Sequence, residues 1–202
     1  TSHHRIIVVE IMGHRAGWLA LGAGVAAGAD VILIPEIPYD IENVARNIVD
    51  RRRSGKRFSI VAVAEGAMSR SDARAIDQLL GAKARAKNKR DKQKASAELE
   101  RFHEAHVDHT LQLTRELEQL TGQESRLTIL GHVQRGGSPT SFDRTLASRL
   151  GSAAVDAVAS GASAQMVGTV CDRVVLAPLA EVTSTKKEIN LDLLKVARIV
   201  AG

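Results

Sequence analysis

The chain is expected to be an α/β protein with a largely parallel sheet. Short β-branched runs alternate with helical patterns over its first third and again after about residue 126. Strands separated by helices build parallel sheets. Glycine or proline stops several of these runs, at Gly13, Pro35 and Gly131. Hydrophobic residues make up 44% and charged residues 25%, which is ordinary for a globular protein, but aromatics are only 2%, so the core must be aliphatic.

Ile6 to Ile11 reads as a buried strand, and Trp18 to Ala29 as a helix of small residues packed closely on a sheet. Its glycines would weaken an isolated helix, so tertiary packing must hold it. Val31 to Ile34 is the next strand, stopped by Pro35 and Pro38. Asp40 caps a helix over Ile41 to Arg53, which Gly55 ends. Phe58 to Ala64 is a third strand.

From Ser71 to Leu120 charges dominate, and Ala82 to Lys94 is a basic run. One long helix, or two with a break near Gly81, is expected there. Leu99, Phe102, Ala105, His106, His109, Leu113 and Leu117 lie near one face. Arg126 to His132 returns to strand, and Gly136-Gly137 makes a turn. Pro139 to Ser160 is a helix with Leu146, Leu150, Ala154 and Val158 inward. Met166 to Val170 and Arg173 to Leu176 are short strands, and Leu191 to Val200 is a terminal helix.

The net charge is +5, which suits nucleic acid or small anionic substrates. Five aromatic residues, Trp18, Tyr39, Phe58, Phe102 and Phe142, give no base-stacking platform, which argues against single-stranded nucleic acid. The lone Cys171 excludes an internal disulfide and fits a reducing compartment, so a cytoplasmic location is expected. No apolar run is long enough for a membrane span. The first residue is not Met, and the chain reads as a fragment of something longer.

The densest chemistry lies in RLTILGHVQRGGSPTSFDR, from Arg126 to Arg144. Arg126 opens an apolar run, and His132, Gln134 and Arg135 follow Gly131 at its end. Guanidinium forks bind oxyanions bidentately, and glycines let backbone N–H groups approach the same anion. A basic strand–loop–helix corner facing water fits the same spacing. Glu65 directly follows the third strand, where it either caps a turn or faces a pocket, since ligands of open α/β sheets collect at strand carboxyl ends. Met12 and Gly13 follow another strand end. His103, His106 and His109 fan over about 120° of a helix, wide for one metal, and no metal site is expected. Ser138 near His132 lacks an orienting acid for nucleophilic catalysis.

This segment resembles the phosphofructokinase signature: a basic residue, four positions, a small residue, His, any residue, Gln-Arg-Gly-Gly, five positions, Asp-Arg. Arg126, Gly131, His132, Gln134, Arg135, Gly136, Gly137, Asp143 and Arg144 meet it without a gap. The stretch SHHRIIVVEIMGHRAGWLALGAGVAAG is similar to the same family at Arg5, Glu10, Met12 and Gly13, as are ILIPEIPYDI and IVAVAEGA. One position departs: the family usually has arginine after Met-Gly, and here His14 and then Arg15 follow.

The resemblance implies a Rossmann-like phosphofructokinase fold, incomplete because its amino-terminal half is missing, with a long charged helical insertion. Residues 1–133 would form the sugar-phosphate-binding lobe, with the insertion over about 70–122. Residues 134–185 would return to the nucleotide-binding lobe, and 186–202 would be a terminal helix coming back. It implies a phosphotransferase acting on the 1-hydroxyl of fructose 6-phosphate, a step of glycolysis, with ATP or pyrophosphate as donor. Arg5, Met12, Gly13, Glu65, Arg126, His132 and Arg135 would bind the sugar phosphate, and His14 and Arg15 would stand near the transferring phosphoryl group. Arg5 and Arg126 would reach the substrate of a neighbouring subunit, hence a homo-oligomer, dimer or tetramer, with shared sites. Asp30 and Lys56 fall near the bacterial effector site, with Ser54 where that site usually has a cation. The catalytic aspartate, the glycine-rich phosphate loop and the magnesium ligands would lie upstream, so no catalytic residue is expected here and Mg2+ would be held outside this segment. The isolated fragment would then be inactive. Two other readings are a non-catalytic sugar-phosphate-binding or regulatory subunit of the same fold, and a basic nucleic-acid-binding protein.

Overall fold

A computed structural model describes residues 5–86, 88–185, 187–190 and 192–196. The described parts fall into two compact units, one from Thr1–Gln134 with Ile189–Gly202, the other Arg135–Glu188.

The first unit is built on four parallel strands in the order β2-β3-β1-β4: β1 is Arg5–Ile11, β2 Val31–Leu33, β3 Phe58–Ala64 and β4 Glu124–Ile129. Helix α1 (Trp18–Ala26) packs on β2 and β3. Helices α2 (Ile41–Arg53) and α5 (His109–Thr121) pack on each other, and α5 reaches β4 and β1. Side chains alternate across a strand. Ile6 and Val8 of β1 and Val61 and Val63 of β3 are fully buried on one face, with Ile48, Leu113 and Leu117 in the same core. On the other face Ile7 and Phe58 stay largely open at the amino end of the sheet. Helix α2 forms where its cap predicts: the Asp40 side chain accepts from the Asn43 N–H, and three arginines occupy the last turn.

The charged stretch is three helices rather than one or two. Helix α3 is Arg70–Arg85, α4 Lys89–Ala105, and α5 follows. Gly81 lies inside α3, because one glycine costs a helix only about 1 kcal/mol. The break falls instead at Asn88, whose side chain accepts from the Asp91 N–H and donates to the Asp91 carboxylate. Ser69 caps α3 in a similar way through Asp72. The expected single stripe is thereby divided: Leu113 and Leu117 are core, while Leu99 and Phe102 are half-buried on α4.

Strand β4 ends at Ile129, and Gly131–Arg135 is a 3-10 turn, so His132 is not in a strand as expected. The Val133 N–H turns back to the Leu130 carbonyl there.

In the second unit α6 is Ser141–Ala159, starting two residues later than Pro139. Thr140 and Asp143 form a capping box that sets this start. The hairpin β5 (Gln165–Val170) and β6 (Arg173–Pro178) is antiparallel. Cys171 and Asp172 both adopt positive φ in its two-residue turn. Arg149 of α6 donates to the Asp172 carboxylate at 2.6 Å. A short α7 (Leu179–Ser184) follows, which the sequence reading missed. Leu146, Leu150 and Ala154 are half-buried, but Val158, expected inward, is 74% exposed.

Ile189, Leu193 and Leu194 pack in the core of the first unit, and residues 192–196 are helical. The rest of the expected terminal helix, 191 and 197–200, lies outside the described residues.

Candidate functional site

The carboxyl ends of β1 and β3 are locked together by backbone. The Glu65 N–H donates to the Ile11 carbonyl at 2.8 Å, and the Gly66 N–H to the Gly13 carbonyl at 3.2 Å. Gly13 has φ +150, and a Cβ there would stand 2.7 Å from the Ala16 carbonyl oxygen. A Cβ on Gly66 would stand 1.9 Å from the His14 carbonyl oxygen, so only glycine fits against this loop. The Met12 N–H donates to Gln134 Oε1 at 3.1 Å, and Gln134 Nε2 donates to the Gly131 carbonyl. Gln134 thus ties the β1 loop to the 3-10 turn that carries His132.

Beside this junction lies an open cleft of about 510 Å³. Glu10, His14 and Glu65 line it from the strand ends, and Asp72, Phe102 and His106 from the helices. The ends of α3 and α4 therefore form a wall of the cleft. The described part of the basic run Ala82 to Lys94 contributes nothing to its lining. The sequence reading singled out Glu65 and His14 but missed this wall; the Ser69-x-x-Asp72 cap was the available signal. Tyr39 is largely buried nearby, and burial first, then Asp72 and Glu116, pushes its hydroxyl pKa far up.

Arg5 and Arg126 stand elsewhere. Arg5 opens β1, and Glu124 opens β4 directly beside it. Arg5 Nε donates to Glu124 Oε2 at 2.8 Å, and Arg126 Nε to Glu124 Oε1 at 3.0 Å. One carboxylate holds both guanidinium groups, and these bonds, Arg5 first, keep its pKa below the usual range. This cluster is at the amino end of the sheet. Met12, Gly13, Glu65 and His132 follow the carboxyl ends, about 20 Å from Arg5 and about 13 Å from Arg126, which pairs with Ile7, at ~3.3 Å per residue.

His132 is exposed on the 3-10 turn, and Arg135, also exposed, ends that turn and begins the second unit. His14 and Arg15 are both exposed. Asp143 of the motif spends its carboxylate on the Thr140 backbone and side chain, which lower its pKa. Asp30 holds the Ile60 N–H at 2.8 Å and pairs with Arg51, which engages it in the fold.

The described residues offer no ligand set for the metal that the resemblance implies. Among the described residues no three carboxylate, imidazole or thiolate groups gather as ligands. Asp72 is already taken by Ser69 and His106. The His103 side chain lies outside what the structure describes. Among the described residues no helix is long and apolar enough to cross a membrane.

The described fold is an open α/β sheet with a cleft at the carboxyl ends of its strands, where ligands of such sheets collect. Residues 1–158 match the phosphofructokinase family model, and the chain belongs to that family. It is 50% identical over 194 residues to an ATP-dependent 6-phosphofructokinase of Propionibacterium freudenreichii subsp. shermanii, covering 95% of this chain and 51% of that protein. It is 40% identical over 200 residues to ATP-dependent 6-phosphofructokinase 1 of Thermus thermophilus, covering 99% and 50%. The chain thus spans about half the length of these relatives. Saccharomyces cerevisiae phosphofructokinase matches in structure with TM-score 0.67 and 29% identity, over 99% of this chain and 23% of that one. A pyrophosphate-dependent phosphofructokinase from Marinobacter aquaeolei shares the fold with TM-score 0.66 and 22% identity, over 95% and 43%.

Proposed function

We propose that this chain is the carboxyl-terminal part of a phosphotransferase that moves a phosphoryl group to the 1-hydroxyl of fructose 6-phosphate, and that it supplies mainly the sugar-phosphate site. The division of the matched residues between the two sheet ends carries the reading. Glu65 and His132, with the Met12–Gly13 loop, suit a sugar's hydroxyls at one end. Arg5 and Arg126 suit a phosphate dianion at the other. No small phosphosugar bridges the roughly 20 Å from Arg5 to the carboxyl ends, so in this reading Arg5, with Arg126 bound to the same Glu124 carboxylate, serves a different copy of the substrate, each site completed by a neighbouring subunit. Arg135 adds the third cation.

Phosphoryl transfer also needs a positioned donor and charge neutralisation. The base, the donor loop and the Mg2+ ligands belong, in this reading, to sequence outside this chain. In this reading His14 and Arg15, both exposed, lie near the transferring group. ATP or pyrophosphate is the donor, and the cytoplasm the expected location. Several exposed apolar side chains of the second unit, Phe142, Val155, Val158 and Val170 among them, fit a unit completed by further chain.

The test is a coupled assay of the full-length protein with fructose 6-phosphate, magnesium and each donor. Turnover with one of them is expected. Absence of turnover with both, across several phosphosugars, would overturn the proposal in favour of a non-catalytic binding subunit.

A further inference from the structure

Both ring nitrogens of His106 face acceptors. Nδ1 lies 2.8 Å from the Phe102 carbonyl oxygen, and Nε2 lies 3.1 Å from Asp72 Oδ1. A neutral imidazole has one N–H, so only the doubly protonated ring satisfies both at once. The Phe102 ring is stacked on it, with centroids 3.8 Å apart and 19° between the planes, a contact that favours a cation. Asp72 is itself fixed, because its other oxygen accepts from the Ser69 hydroxyl at 2.7 Å.

His109 shows the contrast. Its Nδ1 faces the His106 carbonyl and its Nε2 the Thr110 hydroxyl, which can donate, so a neutral ring is satisfied there. Glu10 from β1, His14 and Glu65 from the strand-end loops, and His109 from α5 line the same cleft as His106.

We infer that His106 is a positioning residue that latches the end of α4 to the start of α3 and so fixes the wall of the cleft opposite Glu65. The latch is two contacts through one ring, one back to the Phe102 carbonyl within α4 and one across to Asp72 at the start of α3. The latch rests on geometry alone. Its effect on substrate rests on the cleft being the sugar-phosphate site.

The experiment uses the full-length protein and two readouts. Amide hydrogen exchange without substrate should show protection of the α3 start and α4 end about fivefold lower in His106→Ala than in the unsubstituted protein. His106→Gln keeps a donor toward Asp72 and should restore most of that protection. Asp72→Asn, which replaces the charged acceptor, should lower it too, and serves if the first variant does not fold. Half-saturation for fructose 6-phosphate is the second readout. His106→Ala should raise it while leaving kcat nearly unchanged, and His106→Gln should bring it back. Unchanged exchange in both His106→Ala and Asp72→Asn would overturn the latch. Lowered protection in a protein that binds no phosphosugar would keep the latch and overturn the functional reading.

Discussion

Glu124 binds two guanidinium groups with one exposed carboxylate. Its pKa is lowered, so its contribution is present above the unfolded value and lost only as pH falls through the lower folded one. A carboxyl titration by NMR should place its midpoint below the ordinary glutamate value of about 4.3. A midpoint at or above that value would mean the Arg5–Glu124–Arg126 cluster does not form in solution. Arg135 and Arg126 carry the proposed phosphate contact. Each supplies a charge-assisted hydrogen bond worth roughly 1.5–3 kcal/mol, or about ten- to hundredfold in affinity. Arg135→Ala in the full-length enzyme should raise half-saturation for fructose 6-phosphate by that factor and leave donor half-saturation nearly unchanged. An unaltered sugar-phosphate response would remove Arg135 from the site.

At the level of elements, the junction of the β1 and β3 loops has no room for a side chain at Gly66. Gly66→Ala must displace the His14 backbone, a steric cost of about 1–3 kcal/mol. A thermal melt of the full-length protein should show a lowered Tm, and an unchanged Tm would show that the loop yields freely. The basic run lies at the far end of α3 and the start of α4, about 20 Å of helix from Asp72 at ~1.5 Å per residue. Neutralising Lys89, Arg90, Lys92 and Lys94 should leave fructose 6-phosphate kinetics within about threefold. A larger loss would put this hairpin tip in the active site or an essential interface. Much of this level was legible beforehand: α2 with its Asp40 cap and β3 from Phe58 to Ala64 match the sequence reading to the residue, because cap chemistry and β-branched runs are local. The break at Asn88 and the 3-10 turn after β4 were not. An Asn side chain competing for backbone N–H groups is easily lost in a run of lysines, and an apolar run does not show where its strand stops pairing.

For the whole molecule, a shared site has a consequence that a site within one chain does not. Full-length Glu65→Ala and Arg126→Ala variants should each be impaired, because every site lacks one group. Mixed and reassociated, half of the dimers are hybrids in which both lesions fall on one site and leave the other intact. About a quarter of full activity should return under random mixing. No recovery, with subunit exchange verified by mass, would place both groups on one substrate within one chain.

Residue chemistry by itself determined the α/β class, the aliphatic core, the strand ends as the place to look, and the nine-position signature with Glu65 and His132 behind it. The class, the core and the strand ends follow from periodicity and composition, which are written in neighbouring residues, and the signature from its resemblance to the family. The tertiary structure decided what depends on register between distant segments. Parallel pairing sets Arg5 against Glu124, and so puts Arg5 at the opposite end of the sheet from the cleft, with Arg126 bound to the same carboxylate. Packing of α3 on α4 brings His106 to Asp72, thirty-four positions earlier, and turns part of a charged insertion into a wall of the cleft. Hydrogen bonds between residues this far apart leave no periodic trace along the chain, so only the folded backbone could place them.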